Sequence, residues 1–386
     1  MITKSIYDRP ATVKRLELPE GKRILVISDI HGNMEYFRGV LDRVHFSEDD
    51  ILIINGDFCE KGPDSLGVLR YIMELSGRGN VHTICGNCDD WGRVFTASPE
   101  DDANILQYIF HKKRGLLWDM LRECGIDPVA VETLAECKKQ LFNCFQDEWR
   151  FLMRLPHAIE TDRFIFAHAA CDPSKPLNEQ SVDDFVKYDY FLNSNRFFDK
   201  WVIVGHMPVV LYHKNIVCAN PIVDKAKRIV SIDGGCVLKD DGQLNCLMIP
   251  HKDSQHFYWS SYDSFPEYTA LDAQSEGERS YYVAWSDSRV QVLERGEEFS
   301  RCRHVTTGYE LDILTKYLFS DEEITRCNDC TDYVIPIEKG DVVKVVETTS
   351  RGYFIKHKGV SGWYYGRLKK IRKKPDPVIK ITEPRS

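Results

Sequence analysis

Seven short apolar runs recur along the first 250 residues: 23–29 (RILVISD), 51–57 (ILIINGD), 81–87 (VHTICGN), 163–169 (RFIFAHA), 200–206 (KWVIVGH), 228–235 (RIVSIDGG) and 244–249 (LNCLMI). Their hydrophobicity is continuous rather than alternating, the pattern of strands covered on both faces. Amphipathic stretches at 34–44 (MEYFRGVLDRV) and 65–75 (SLGVLRYIMEL) separate the first three runs. Strand, helix, strand, helix, strand predicts a parallel α/β sheet with right-handed crossovers. Residues 99–155 change to a helical period, broken at Gly125 and Pro128, and predict a helical insertion over about 95–155 that caps one end of the sheet. Cys137 and Cys144 share a helix face there, a spacing that suits packing better than metal binding.

From about residue 280 the pattern breaks into short strands and turns. Sliding the chain by 44 residues brings VQVLERGEEF (290–299) onto VIPIEKGDVV (334–343), Gly296 onto Gly340 and Gly308-Tyr309 onto Gly352-Tyr353, so one small β unit is present twice. The second copy, with Lys339-Gly340-Asp341 and GWYYG at 362–366, resembles a bacterial SH3-like barrel, and the first is more degenerate. The expected organisation is an α/β unit over 1–250, an Asp/Ser/Glu-rich linker over 251–279, SH3-like repeats over 280–320 and 330–372, and a basic tail over 373–386. The repeats would serve peptide docking or self-association. Trp363, Tyr364 and Tyr365 suit a barrel core and edge better than a peptide groove. Cys327 and Cys330, with Cys302 and His304 upstream, lack the second Cys pair that would make a convincing zinc site.

Composition narrows the class. The chain has 386 residues, 43% hydrophobic and 28% charged, which suits a globular protein of two or three domains and excludes disorder and fibre. No run approaches the 18 apolar residues of a membrane span and residues 1–23 lack an apolar signal core, so a cytoplasmic location is expected. Thirteen cysteines, several inside apolar runs, are expected to be reduced thiols used as small hydrophobes. Residues 367–386 carry eight Lys or Arg against two Asp or Glu, so the net charge of −8 leaves −14 on the remainder. An acidic body argues against a nucleic-acid partner, whose affinity rests on neutralised phosphates.

The polar residues that follow the runs carry the chemistry. Asp29 and His31 follow the first, Asp57 the second, Asn87 the third, His168 the fourth and His206 the fifth. The carboxyl ends of α/β strands form the ligand-binding edge, so one edge would receive two carboxylates, an amide oxygen and three imidazoles. Such a mixed set suits Mn, Fe or Zn. Six ligands exceed what one catalytic ion needs, so two divalent ions roughly 3.5–4 Å apart are expected. Asp57 would bridge them, with Asp29 and His31 on one ion and Asn87, His168 and His206 on the other. Each piece alone has a plainer reading, as a turn or a helix cap, but five strand ends would have to mimic the site together.

The segments SDIHG, NGDFCEKGPDS, CGNCDDW, FAHAA and VGHMPV resemble the calcineurin-like metallophosphoesterase superfamily, in the branch holding serine/threonine protein phosphatases and bacterial diadenosine tetraphosphatases. The resemblance spans roughly 22–250. It implies a four-layer α/β/β/α sandwich, a dinuclear centre with manganese foremost, and the same six ligands. It also implies that the second Asp and the Arg of the Gly-Asp-x-x-Asp-Arg-Gly box, and the His of the Gly-Asn-His box, act in catalysis. Here those places hold Glu60, Lys61 and Cys88, the last followed by Asp89. Lys keeps the charge but loses the bidentate fork that clamps phosphate. A second clamping Arg is not evident, since the corresponding region offers Lys187, Tyr188 and, further on, Arg196. A thiol is a poorer acid for an alkoxide than imidazolium. The expected activity is therefore hydrolysis of activated esters, diesters or nucleotide anhydrides, on a phosphorylated small molecule, nucleotide or phosphoprotein. A serine/threonine protein phosphatase and a pseudoenzyme that keeps its metals for binding are the alternatives.

Overall fold

The computed structural model describes residues 9–97, 103–321 and 324–371. The basic tail expected over 373–386 lies outside the described residues. The chain divides into two compact units, Met1–Ser264 and Phe265–Ser386.

All seven apolar runs of the first unit contain strands, but they divide between two mixed sheets, which corrects the expectation of a single parallel one. One sheet runs Tyr258–Tyr262, Leu244–Ile249, Ile24–Ile27, Ile51–Ile54, Val81–Thr83, with the last three strands parallel. The other runs Val13–Arg15, Ala158–Glu160, Phe164–Ala167, Trp201–Val204, Ile229–Ser231, Ile222–Asp224. Its strands 164–167, 201–204 and 229–231 are parallel.

Neighbouring residues on each strand enter different cores, which is why the runs are apolar throughout. Ile24, Val26, Ile51 and Ile53 of one sheet meet Phe164, Phe166, Ile203 and Val230 of the other in a layer between the sheets. Leu25, Ile27, Leu52 and Ile54 face the helices Met34–Arg43 and Ser65–Ser76. Ile165, Ala167, Val202 and Val204 face Phe185 and Phe191 on the far side. Burying one such large side chain contributes about 1.5–3 kcal/mol, so a one-residue slip of any strand would exchange two filled cores at once.

The insertion forms five helices, Trp91–Ala97, Ala103–Lys112, Leu116–Glu123, Leu134–Cys144 and Gln146–Arg154. Phe95, Leu121, Leu141 and Trp149 share one core with Leu69 and Ile72 of the 65–76 helix. The insertion is therefore continuous with the helical layer on that sheet. Cys137 is buried, whereas Cys144 is exposed.

The stretch expected as a linker over 251–279 holds two strands instead. Tyr258–Tyr262 pairs antiparallel with Leu244–Ile249 and completes the first unit's sheet. Glu267–Ala270 pairs with Val342–Thr348 and Leu368–Lys370 in the second unit. Polar composition hid both, because each strand buries little of itself.

The second unit is all β. Phe299–His304 and Glu310–Leu314 form a hairpin, and Val342–Thr348 and Tyr353–His357 form another at the corresponding repeat positions. Each hairpin belongs to its own small core, one around Val290, Cys302, Leu311 and Ile313, the other around Ile335, Val343, Ile355 and Tyr364. Trp363 and Tyr364 are buried and Tyr365 is exposed. Cys327 and Cys330 place their sulfurs 3.9 Å apart, but among the described residues neither belongs to a cluster of three metal-ligating groups. No helix among the described residues is long and apolar enough to cross a membrane.

Candidate metal centre

The six expected ligands come from the carboxyl ends of strands in both sheets, three segments from each side of the inter-sheet layer. Asp29, His31 and Asp57 follow strands 24–27 and 51–54, and Asn87 follows 81–83. His168 and His206 follow 164–167 and 201–204 of the facing sheet. Four of them, Asp29, His31, Asp57 and His206, have left-handed backbone with φ between 50° and 67°, and Glu60 and Lys61 do so too. Non-glycine residues enter this region at a cost of order 1–3 kcal/mol each, and such strain concentrates at functional sites.

Glycine lets the loops meet. A Cβ on Gly86 would collide with the backbone and carboxylate of Asp57, and one on Gly205 with Ser28 and Asp29. Larger residues at either place would push the two sheet edges apart.

Asp57 is the shared member of the site. Its carboxylate forms one cluster with His31 and Cys88 and a second with His168 and His206, the ligand atoms within each lying within 4.8 Å of one another. His168 Nε2 is 3.3 Å from Asp57 Oδ1, and one end of the Asn87 carboxamide lies 3.2 Å from His168 Nε2 and 2.9 Å from His206 Nδ1. On the other side, Asp29 Oδ1 and His31 Nε2 are buried, 3.8 Å apart, and have no hydrogen-bond partner. Two orphaned lone-pair atoms facing each other in a dry site fit a divalent cation, because no other arrangement repays their desolvation.

The surroundings orient these atoms. Ser28 Oγ donates to Asp29 Oδ2 at 2.6 Å and His206 N donates to it at 2.9 Å, which turns Oδ1 inward. His31 Nδ1 donates to the Cys59 carbonyl at 3.4 Å and His168 Nδ1 to that of Asn55 at 3.1 Å, so each Nε2 carries the lone pair. Burial pushes His31 down to about 3 and His206 to about 4, which keeps both neutral. The burial that would raise Asp57 is outweighed by His168 and His31, which hold it well below the usual carboxylate range. His168 is pushed up to about 10, since Asp57 overrides its burial.

The four residues expected to act in catalysis separate. Cys88 lies against the ligands, its N–H donating to Asp57 Oδ1 at 2.8 Å. Burial of Lys61 is outweighed by Cys88, Asp57, Asp29 and Asp233, which hold its ammonium charged. Asp89 faces backbone instead, accepting from the N–H groups of Asp57, Phe58, Cys59 and Gly86 at 2.6–3.0 Å. Glu60 turns to the insertion, taking the Tyr108 hydroxyl at 2.8 Å and the Leu116 N–H at 2.7 Å. The same insertion helix sends Asp119 to the N–H groups of Ser65 and Leu66. Of the residues considered for a second clamp, Arg196 is committed to the Cys171 carbonyl at 2.8 Å and the Tyr188 ring.

Two acidic residues of the site went unread in the sequence. Asp233 is fully buried beside Asp29 and Lys61, with its carboxyl raised well above the usual range by burial and by Asp29. It follows strand 229–231, so the strand-end rule applied to a sixth run would have found it. Asp189 meets His206 Nε2 at 3.3 Å from a loop with no such signal. A third cluster, Cys85, Asp90 and His157, is already neutralised, since Arg9 and Arg93 reach Asp90 at 2.5 and 3.0 Å.

Burial raises the Glu60 carboxyl from 4.5 to about 7. Between those values the folded chain keeps a proton that the unfolded chain has released, so this group's stabilisation is complete below pH 4.5 and is lost as pH rises through about 7. The difference is on the order of 3 kcal/mol. Glu60→Gln, which preserves shape and hydrogen bonding, is expected to gain on the wild type in thermal stability as pH is raised across that window. Parallel melting curves at every pH would show that Glu60 does not titrate there.

A family model described as calcineurin-like phosphoesterase matches residues 22–234. The symmetrical bis(5'-nucleosyl)-tetraphosphatase of Buchnera aphidicola subsp. Acyrthosiphon pisum is 45% identical over 203 residues, covering 42% of this chain and 73% of that protein. The enzyme of the same name from Wigglesworthia glossinidia brevipalpis is 44% identical over 63 residues, 16% of this chain, and the match spans 22% of its own length. Among solved structures, a metallophosphoesterase from Sphaerobacter thermophilus is similar at 17% identity and a TM-score of 0.38, over 63% of this chain and 89% of its own. A protein serine/threonine phosphatase from Saccharomyces cerevisiae is similar at 13% and 0.37, over 67% and 85%.

Proposed function

Because the chain belongs to the calcineurin-like phosphoesterase family and is thereby a phosphoester hydrolase, we propose that its centre cleaves activated phosphoric esters and anhydrides, dinucleoside polyphosphates foremost. The reading rests on two divalent ions held by Asp29, His31, Asp57, Asn87, His168 and His206. When bound, such a pair supplies Lewis acidity toward phosphoryl oxygens and an acidified water.

The chain's own groups supply the rest. Asp57 holds the two halves of the ligand set together. Lys61 adds a fixed positive charge for phosphoryl oxygens. Asp89 and Glu60 act as positioning residues, because their oxygens are spent on backbone N–H groups and on Tyr108. Cys88 is the observation that decides the substrate class. It occupies the place of an imidazole acid, and a thiol hydrogen-bonds weakly, so the leaving group must depart without strong protonation. Nucleotide phosphates and aryl oxides do so; the alkoxide of serine does not.

The test is one panel on the purified full chain with added Mn²⁺: an aryl phosphate, an aryl phosphodiester, a dinucleoside tetraphosphate and a phosphoserine peptide. The kcat/KM for the tetraphosphate or the aryl esters is expected to exceed that for the peptide by at least roughly 100-fold, the scale of one general acid. Fastest turnover on the peptide would overturn the reading.

A further inference from the structure

We propose that Cys88 is a metal ligand: its sulfur completes the position formed by Asp29, His31 and Asp57, and makes that position the softer of the two. This rests on the two-ion reading above. Its thiol, the His31 imidazole and the Asp57 carboxylate bring their ligand atoms within 4.8 Å of one another. His31 Nε2 is fully buried and has no other partner. The Cys88 N–H bond to Asp57 Oδ1 fixes the residue's backbone against the shared carboxylate, so the side chain starts from inside the site.

The asymmetry between the two positions follows. Asp57, His168, His206 and Asn87 offer oxygen and imidazole only, a set that suits manganese as well as zinc or iron. The other position adds a thiolate to oxygen and imidazole, which favours zinc, iron or cobalt over manganese or magnesium. On binding, the thiol releases its proton to solvent and its sulfur donates an electron pair to the ion. No oxidant or reductant takes part.

Cobalt reports on this directly. The full chain, stripped with a chelator and reloaded with Co²⁺, is expected to bind two equivalents and to show a near-ultraviolet thiolate-to-cobalt charge-transfer band. Cys88→Ser should keep its fold by thermal melting and lose that band, and its preference for Zn²⁺ over Mn²⁺ should fall at least roughly tenfold. Cys327→Ser, a change in the other thiol pair, should leave the band intact. Two bound cobalt ions with no band, or an undiminished band in Cys88→Ser, would overturn sulfur ligation while leaving the two-ion centre standing. A wild-type chain that takes up no cobalt would overturn the two-ion reading, and sulfur ligation with it.

Discussion

Asp57→Asn is expected to cost at least roughly 10³ in kcat/KM on every substrate of the panel, well beyond the 10–100-fold that follows loss of a group behind the ligands. Its carboxylate is the one member common to both ligand clusters, so both positions lose a ligand together. Asn keeps one oxygen and nearly the same shape. The amide end, however, brings two N–H donors into a site where His31 Nε2 and Asp29 Oδ1 already lack partners. It also removes the charge that holds Lys61 and His168 in place. Metal content should fall from two equivalents to one or none, and the two readouts should fall together. Residual hydrolysis equal to the wild type would show that the activity came from another protein in the preparation. Normal metal content with lost activity would show that Asp57 does not bridge.

How much of this was legible depended on how strongly each residue's neighbours in sequence constrained it. The six ligands were, because each follows directly on a strand whose apolar run is unambiguous. Their gathering was only half legible. Strand-end logic assigned them to one sheet edge, whereas Asp29, His31, Asp57 and Asn87 come from one sheet and His168 and His206 from another packed against it. Continuous apolar runs signal two covered faces equally when the cover is a helix or a second sheet, so periodicity alone could not tell the arrangements apart.

Roles behind the ligands were less legible still. Motif position grouped Glu60 and Asp89 with Cys88 and Lys61, but a carboxylate's role depends on what faces it. Glu60 is claimed by Tyr108 and Leu116, residues 48 and 56 positions away on the insertion. The strands at 258–262 and 267–270 were missed for a related reason. Edge strands are half exposed, and polar composition there is ordinary rather than a sign of a linker.

The largest effect on stability is expected at Asp89. Its two oxygens accept four backbone N–H bonds that tie the loop after strand 51–54 to the loop after strand 81–83, all in buried surroundings. Asp89→Ala leaves four donors without acceptors. Each costs about 1–3 kcal/mol when buried, so a loss of at least about 4 kcal/mol is expected. That is a large share of the total stability of a domain, which is about 5–15 kcal/mol. Asp89→Asn keeps one acceptor oxygen but turns an N–H group toward N–H groups, so its loss should be intermediate. Because Asp57 N is among the four donors, metal affinity should fall in the same order, wild type above Asn above Ala, even where the Asn variant still folds. Chemical denaturation with metal titration of the three proteins checks both. An Ala variant that melts with the wild type would mean that these loops hold their left-handed backbone without the Asp89 clamp.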